Sequence, residues 1–216
     1  MQYLRYAVAG ATAMLLSVGA AQAQDYQPKA AGLTMLNVRI TDVAPDAGDK
    51  ITTLAGAATG LKADVDDDVM PTIGLTHFFT DNIAVEVIAG TTKHTIRAQG
   101  GSTDVKVKET WVLPPVVAVQ YHFAPTARVS PYVGAGVNYM LFYNGSDKNG
   151  FHLKLDDGFG AALQAGVDVA VKGPWSANLD VKKIYFETDA TDSVNGIKSK
   201  VHLDPWVVSA GFGYKF

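Results

Sequence analysis

Apolar and polar residues alternate along much of the chain with a period of two. The alternation is clearest over residues 159–171, where every odd position is apolar and glycine, glutamine and aspartate occur only at even positions. An amphipathic helix would instead place its apolar residues three and four positions apart. The pattern therefore predicts a strand whose two faces meet different environments.

The same alternation predicts eight strands in all. Their bounds are residues 33–43, 70–80, 83–96, 111–123, 133–143, 159–171, 175–188 and 200–216. The connections at residues 80–82, 124–130 and 172–174 are short, whereas those at residues 44–69, 97–109, 144–156 and 189–199 are longer and more polar. An even strand number with short periplasmic turns and long outer loops is typical of bacterial membrane barrels. We therefore predict both termini in the periplasm.

Two strands depart from simple alternation. His77 falls on the apolar face of residues 70–80. In residues 175–188, Lys183 interrupts the outward apolar set, while Ile184 and Phe186 fall on the inward face.

The composition of the two faces favours a membrane barrel over a soluble periplasmic barrel of the lipocalin type. The inward faces are rich in glycine, alanine and asparagine. A solvated sheet would carry many lysine and glutamate residues on one face, and neither face does so here. Aromatic residues fall near the predicted strand ends, as in interfacial girdles; these are Trp111, Tyr121, Phe123, Tyr143, Trp175, Trp206 and Tyr214. The predicted class is an all-β, eight-stranded antiparallel transmembrane barrel.

The N-terminal segment predicts secretion. Residues 7–20 are almost uniformly apolar and are followed by Ala21-Gln22-Ala23, a small-x-small cleavage site. A membrane anchor is the competing interpretation, but this run is shorter than the roughly 20 residues that a spanning helix needs. We expect cleavage after Ala23, so that residues 1–23 are the signal peptide and residues 24–216 form the barrel.

Charge and cysteine content exclude several classes of protein. The net charge is −3 and no basic stripe is present, so nucleic acid is not an expected partner. The chain has no cysteine, which excludes disulfides, thiolate nucleophiles and zinc-thiolate sites. Hydrophobic residues make up 48% of the chain, which excludes a disordered protein.

Catalytic and metal-binding patterns are scarce, and we predict neither an enzyme nor a cofactor. The five histidines are scattered, without the spacing of a metal site. The acidic run at Asp64, Asp66, Asp67 and Asp68 suggests calcium, but it lacks the glycine and distal glutamate of an EF-hand loop. Ser199 with His202 is the only hint of a catalytic pair.

Charged residues on the inward faces form a second candidate feature. They lie toward the predicted periplasmic half and are Glu86, Asp168, Asp180, Lys182 and Lys215. We predict an ion-pair network that plugs the barrel floor; a proton or ion pathway is the alternative.

Several blocks resemble the OmpW family of outer-membrane proteins, which includes AlkL-type proteins. They lie in order along nearly the whole mature chain and include Thr80-Asp81-Asn82-Ile83-Ala84-Val85-Glu86, Leu113-Pro114-Pro115, Pro131-Tyr132-Val133-Gly134-Ala135-Gly136-Val137-Asn138-Tyr139, Leu203-Asp204-Pro205-Trp206 and Gly213-Tyr214-Lys215-Phe216. The resemblance implies an eight-stranded barrel with a narrow apolar channel that lets small hydrophobic molecules cross the outer membrane, leaving sideways through the wall.

The candidate channel lining follows from parity and from this resemblance. Met140 and Phe142 face inward. Phe159 faces outward by parity, but the family's aromatic beside Gly160-Ala161 is taken to face the channel, which would require a bulge or slip. Leu54, with Ile51 and Leu61, is a candidate contact from the first long loop; plain barrel filling or loop packing is the alternative.

Two functions remain open at this point. One is passive uptake of small hydrophobic molecules, with outer-membrane lipid, lipopolysaccharide and the solute as partners and no obligate protein partner. The other is a structural or receptor barrel that presents its outer loops to a partner without transport.

Overall fold

The computed structural model describes residues 25–216, so the predicted signal peptide lies outside the described residues. The strands are β1 (Thr34–Ala44), β2 (Lys50–Thr53), β3 (Ala58–Val65), β4 (Asp68–Phe78), β5 (Ile83–Ala89), β6 (Thr92–Gly100), β7 (Thr103–Leu113), β8 (Val116–His122), β9 (Val129–Asp147), β10 (Lys154–Leu155), β11 (Gly158–Lys172), β12 (Trp175–Tyr185), β13 (Glu187–Asp192), β14 (Ile197–His202) and β15 (Trp206–Lys215). Among these residues, no helix is long and apolar enough to cross a membrane.

Eight of these strands close into an antiparallel barrel. Their order around the wall is β1, β4, β5, β8, β9, β11, β12 and β15. The first and last strands pair over ten residues, from Met35 opposite Lys215 to Ala44 opposite Trp206, and this pairing closes the cylinder. The predicted eight-stranded antiparallel barrel is confirmed.

The four long connections, predicted as loops, are largely strands. β2, β3, β6, β7, β10, β13, β14 and the end of β9 continue the wall as a second sheet at one end of the barrel, here called the upper end. The short turns lie at the opposite, lower end. The alternation reaches only the barrel-side ends of β6, β7, β13 and β14, and the strand predicted over residues 83–96 is broken between β5 and β6. The pattern missed the remaining upper strands because their apolar residues are interspersed with polar ones, although these strands together bury an apolar cluster that includes Ile51, Val107 and Leu153. Tight reversals such as Gly101, at φ +59°, join them.

The outer face of the barrel is apolar and the inner face is filled. On β1, Leu36, Val38 and Ile40 are exposed, while the intervening Asn37 and Arg39 are buried. This alternation confirms the outward and inward sets that the sequence predicts for the strand.

Glycines allow the strands of this narrow barrel to approach closely. A Cβ atom on Gly136 would lie 2.1 Å from the Val117 carbonyl oxygen, and one on Gly211 would lie 2.0 Å from the Val38 carbonyl oxygen. Both contacts are with main chain, so a larger residue would force the wall to open.

The barrel interior has two zones of opposite polarity. The lower zone holds charged and amide side chains, including Glu86, Asp180 and Lys182. The upper zone is an apolar cluster that includes Met140, Ile184 and Phe186. Ile184 and Phe186 are therefore inward, as parity indicates, because this part of the interior is apolar.

Candidate functional site

An apolar cavity occupies the upper end of the barrel and is called the upper cavity. Its cavity volume is about 70 Å³. Its lining comes from both sheets and is mostly aliphatic and aromatic; among its residues are Val43, Ile51, Val65, Ile96, Val107, Val112, Met140, Phe142, Leu153 and Val201. An apolar site with few polar groups is what a small hydrophobic ligand requires.

A second space, called the lower cavity, continues beneath it. Its cavity volume is about 40 Å³, and it shares Val43, Pro114, Met140 and Pro205 with the upper cavity. Its lining also includes the polar residues Thr41, Thr72 and Lys182. The apolar interior therefore ends where the charged zone begins.

The four candidate lining residues fall in different places. Met140 and Phe142 line the upper cavity, and the Phe142 ring lies 6.2 Å from that of Phe186. Phe159 is 78% exposed on the outer face, with its ring 4.7 Å from that of Tyr139. Leu54 is 45% exposed beyond the end of β2, outside both cavity linings.

The expectations for Phe159 and Leu54 as channel-lining residues are therefore wrong. The ladder between β9 and β11 runs without a break from Gly158 to Val169, so no bulge turns Phe159 inward. Of Ile51, Leu54 and Leu61, the candidates from the first long loop, Ile51 lines the cavity.

The floor of the barrel is built around Glu86. Its carboxylate accepts a hydrogen bond from Arg39 Nη2 at 2.7 Å and lies 3.4 Å from Lys182 Nζ. Lys182 is also ion-paired with Asp180, which accepts a hydrogen bond from the Tyr132 hydroxyl at 2.8 Å. The structure thus brings Glu86, Asp180 and Lys182 together.

A second cluster in the floor surrounds Asp168. Its carboxylate accepts hydrogen bonds from Lys29 Nζ at 2.7 Å and from Asn178 Nδ2 at 2.8 Å. Asn178 Oδ1 in turn accepts from Arg39 Nε at 2.6 Å, which links the two clusters. Lys215 stands apart from both, since its Nζ donates to the Gln27 carbonyl at 2.7 Å.

Lys29 and Arg39 are floor residues that the sequence reasoning missed. Arg39 lies inward by parity, so the alternation carried a signal that could have found it. Lys29 precedes the first strand, and no local pattern indicates that it enters the barrel.

Residues 25–33 cross the lower end and are called the floor strap. Gln27 N donates to the Gly173 carbonyl at 2.8 Å, and Lys29 N donates to the Pro125 carbonyl at 3.0 Å. Ala31 N donates to Asp81 Oδ1 at 2.9 Å. The strap is thus attached to each of the three short turns, and Lys29, 2% exposed, anchors it inside the barrel.

The ladder in the barrel wall is interrupted beside the cavities. The pairing of β5 with β8 ends at Ile88 opposite Val116, and that of β6 with β7 starts at Thr92 opposite Val112. Residues 89–91 and 113–115 between these pairs form no ladder pairs with each other, although Ala89 still pairs with Ile73 and Leu113 with Leu141; we call this stretch the wall gap. Pro114 and Pro115 have no amide proton to donate across it.

The candidate catalytic pair is not assembled. Ser199 Oγ donates to the Lys50 carbonyl at 3.2 Å, while His202 Nδ1 lies 3.1 Å from Asp49 Oδ1. The hydrogen bond to Asp49, with the negative charge of Glu187, raises the pKa of the His202 imidazole above its ordinary value of 6.5. Within residues 25–216, no group of three or more histidine, aspartate or glutamate side chains is arranged to hold a metal ion.

A closed eight-stranded barrel with an apolar outer face and a filled interior defines a small β-barrel membrane protein. The sequence model of the OmpW family matches residues 30–216. The chain belongs to the OmpW family and is a bacterial outer-membrane protein.

Individual relatives agree with this assignment. The chain is 38% identical over 230 residues to the uncharacterized outer-membrane protein y4mB of Sinorhizobium fredii, covering 100% of this chain and 97% of y4mB. The crystal structure of OprG from Pseudomonas aeruginosa superposes with a TM-score of 0.82 at 31% identity, covering 89% of this chain and 99% of OprG. The dibenzothiophene metabolism operon protein PahQ of Pseudomonas aeruginosa is 29% identical over 184 residues, covering 83% of this chain and 86% of PahQ.

Proposed function

We propose that this protein is a passive channel that admits small hydrophobic molecules from outside the cell and releases them sideways into the outer membrane. One observation carries the proposal: an apolar cavity lies above a sealed, charged floor, and the wall ladder is interrupted at the same level. The upper end would face the cell exterior, with the floor strap and both termini in the periplasm.

The floor opposes axial passage of an apolar solute. Three cationic and three anionic side chains are paired within it, namely Lys29, Arg39, Lys182, Glu86, Asp168 and Asp180. Separating buried ion pairs leaves uncompensated charge in a poorly solvated interior. An apolar solute cannot replace the lost hydrogen bonds, so the favourable route leads out of the cavity before the floor.

The wall gap provides that route. Gly90 and Pro114 line the lower cavity at the gap. On its other side β8 stays bound to β9, because Tyr139 N donates to the Pro115 carbonyl at 3.1 Å. Opening at the gap therefore breaks no ladder bond between residues 89–91 and 113–115, but it must break the hydrogen bonds of Thr91 Oγ1 with the Val112 carbonyl, at 3.3 Å, and with the Tyr143 hydroxyl. The name of PahQ, which refers to dibenzothiophene metabolism, agrees with an apolar aromatic solute.

The channel is tested with vesicles that carry lipopolysaccharide in their outer leaflet, because plain phospholipid is itself permeable to apolar solutes. N-phenyl-1-naphthylamine reports entry into the membrane by fluorescence, and a sugar of similar size serves as the polar probe. We expect the protein to accelerate entry of the apolar probe alone. Phe142→Asp should slow that entry about tenfold or more, because it places a carboxylate in the apolar cavity.

Val194→Asp is the matched control, since Val194 is 71% exposed in the hairpin between β13 and β14. It should leave entry unchanged. Failure of both probes to enter would overturn the channel and favour a barrel that presents its upper hairpins to a partner. Entry of both probes would show a water-filled pore instead.

Sideways release is tested by a reversible staple. The register on both sides of the gap places Thr91 opposite Leu113. A disulfide between Thr91→Cys and Leu113→Cys should slow delivery to the membrane, and reduction should restore it. Val87→Cys with Val117→Cys, a pair within the intact ladder of the same strands, is the control and should have no effect. If the apolar probe reaches the membrane equally fast with either disulfide formed, exit at the gap is excluded.

A further inference from the structure

His94 is a polar residue in the wall of the upper cavity. It lies on β6 between Thr92 and Ile96, which line the cavity from the same face, and it is only 5% exposed. Its Nδ1 lies 2.7 Å from the Asp66 carbonyl oxygen. Because a carbonyl can only accept, Nδ1 must carry the proton.

This fixed tautomer makes Nε2 a hydrogen-bond acceptor in the neutral ring. In the described part of the chain, Nε2 has no hydrogen-bond partner. The nearby lining hydroxyls are already used as donors, since Thr110 Oγ1 donates to the Tyr143 carbonyl and Thr188 Oγ1 to the Asp156 carbonyl. These two hydroxyls are therefore not free to donate to Nε2.

The charges around His94 are mixed. Asp66 and Asp67 lie beside His94, and Asp64 is close to Arg97. Two cations, Arg97 and Lys198, line the cavity, and Arg97 Nε donates to Asp104 Oδ1 at 2.8 Å. A carboxylate brought to His94 would have no proton to donate to Nε2, whereas a neutral hydroxyl would.

We propose that the upper cavity selects neutral hydrophobic molecules that carry a single hydrogen-bond donor, such as an alicyclic alcohol or a phenol, by donation to His94 Nε2. This inference rests on the proposed function and specifies its substrate class. The apolar lining holds the body of the solute, and His94 holds its hydroxyl group.

The test measures binding to the full chain in lipid bicelles with two probes of similar shape, cyclohexanol and methylcyclohexane. Nitrogen-15 spectra of the labelled histidine rings should show the His94 Nε2 signal shifting upfield with cyclohexanol and not with methylcyclohexane. His94→Phe should weaken cyclohexanol binding about threefold to tenfold, the range for one neutral hydrogen bond, and leave methylcyclohexane binding unchanged. Cyclohexanecarboxylate should bind more weakly than cyclohexanol.

His152→Phe is the control, because His152 is an exposed histidine at the same end of the barrel. It should change neither affinity. If His94→Phe does not fold, the spectra of the unsubstituted protein still decide the question. The inference would be overturned, and the proposed channel left intact, if cyclohexanol did not shift the His94 Nε2 signal or if His94→Phe lowered the affinity for both probes equally. If neither probe binds, the proposed function is overturned as well.

Discussion

At the scale of single residues, partners distant in sequence decide what each buried charge does. Glu86 is held by Arg39 on β1 and by Lys182 on β12. Parity could place these side chains inside the barrel, but it could not say which would meet. Met140 and Phe142 were correctly predicted as inward because both lie within a strand, whereas Leu54 lies beyond the end of β2, where alternation carries no information.

One prediction at this scale concerns His202. Its folded-state pKa is raised above 6.5, so its contact with Asp49 and Glu187 stabilises the upper hairpins most below pH 6.5 and weakens as the pH rises through the folded pKa. The protection factor of the His202 amide, whose N donates to Asp49 Oδ2 at 2.6 Å, should therefore fall above that pKa, after correction for the intrinsic base catalysis of exchange.

Titration of the ring by NMR, with amide exchange measured across the same pH range, checks this expectation. His202→Gln should remove the pH dependence of the protection factors in this hairpin. A His202 pKa at or below 6.5 would contradict it.

At the scale of elements, local alternation predicted the barrel strands but not their continuation. Most residues of the upper strands were predicted as loops because their apolar residues are few and are interspersed with polar and charged ones. The floor strap was not predicted at all, because it is held by backbone bonds to the turns and by Lys29 rather than by its own pattern.

The strap gives a prediction of its own. Lys29→Met should release it, because Asp168 loses its buried cation. Removing one partner of such a pair should lower the free energy of unfolding by about 3 kcal/mol. Hydrogen exchange by mass spectrometry should show faster exchange over residues 26–31, and urea titration measures the stability.

Lys172→Met is the control, since the pair that Lys172 forms with Asp25 at the same end of the barrel is exposed and 3.9 Å long. It should change neither quantity. Unchanged exchange over the strap in Lys29→Met would show that the backbone bonds alone hold it.

At the scale of the whole molecule, closure of the sheet divides the interior into a charged lower zone and an apolar upper zone. The proposed direction of uptake depends on how this axis is oriented in the membrane. The absence of cysteine from the chain makes orientation simple to measure by labelling.

Val194→Cys, in the hairpin between β13 and β14, should react with a membrane-impermeant maleimide on intact cells. Ala127→Cys, in an exposed short turn at the lower end, should react only after the outer membrane is permeabilised. Each variant serves as the control for the other. The reverse result would place the floor strap outside the cell and contradict the proposed route.

A period-two pattern that each segment carries locally is enough to predict the eight barrel strands, their outward faces and the class of barrel. The position of Phe159, the entry of Lys29 into the floor and the wall gap between β5–β6 and β7–β8 depend instead on the closed fold. An inward side chain can meet either charge or hydrocarbon in this barrel. Which one it meets is fixed by its height along the axis and by the strands that closure brings opposite it.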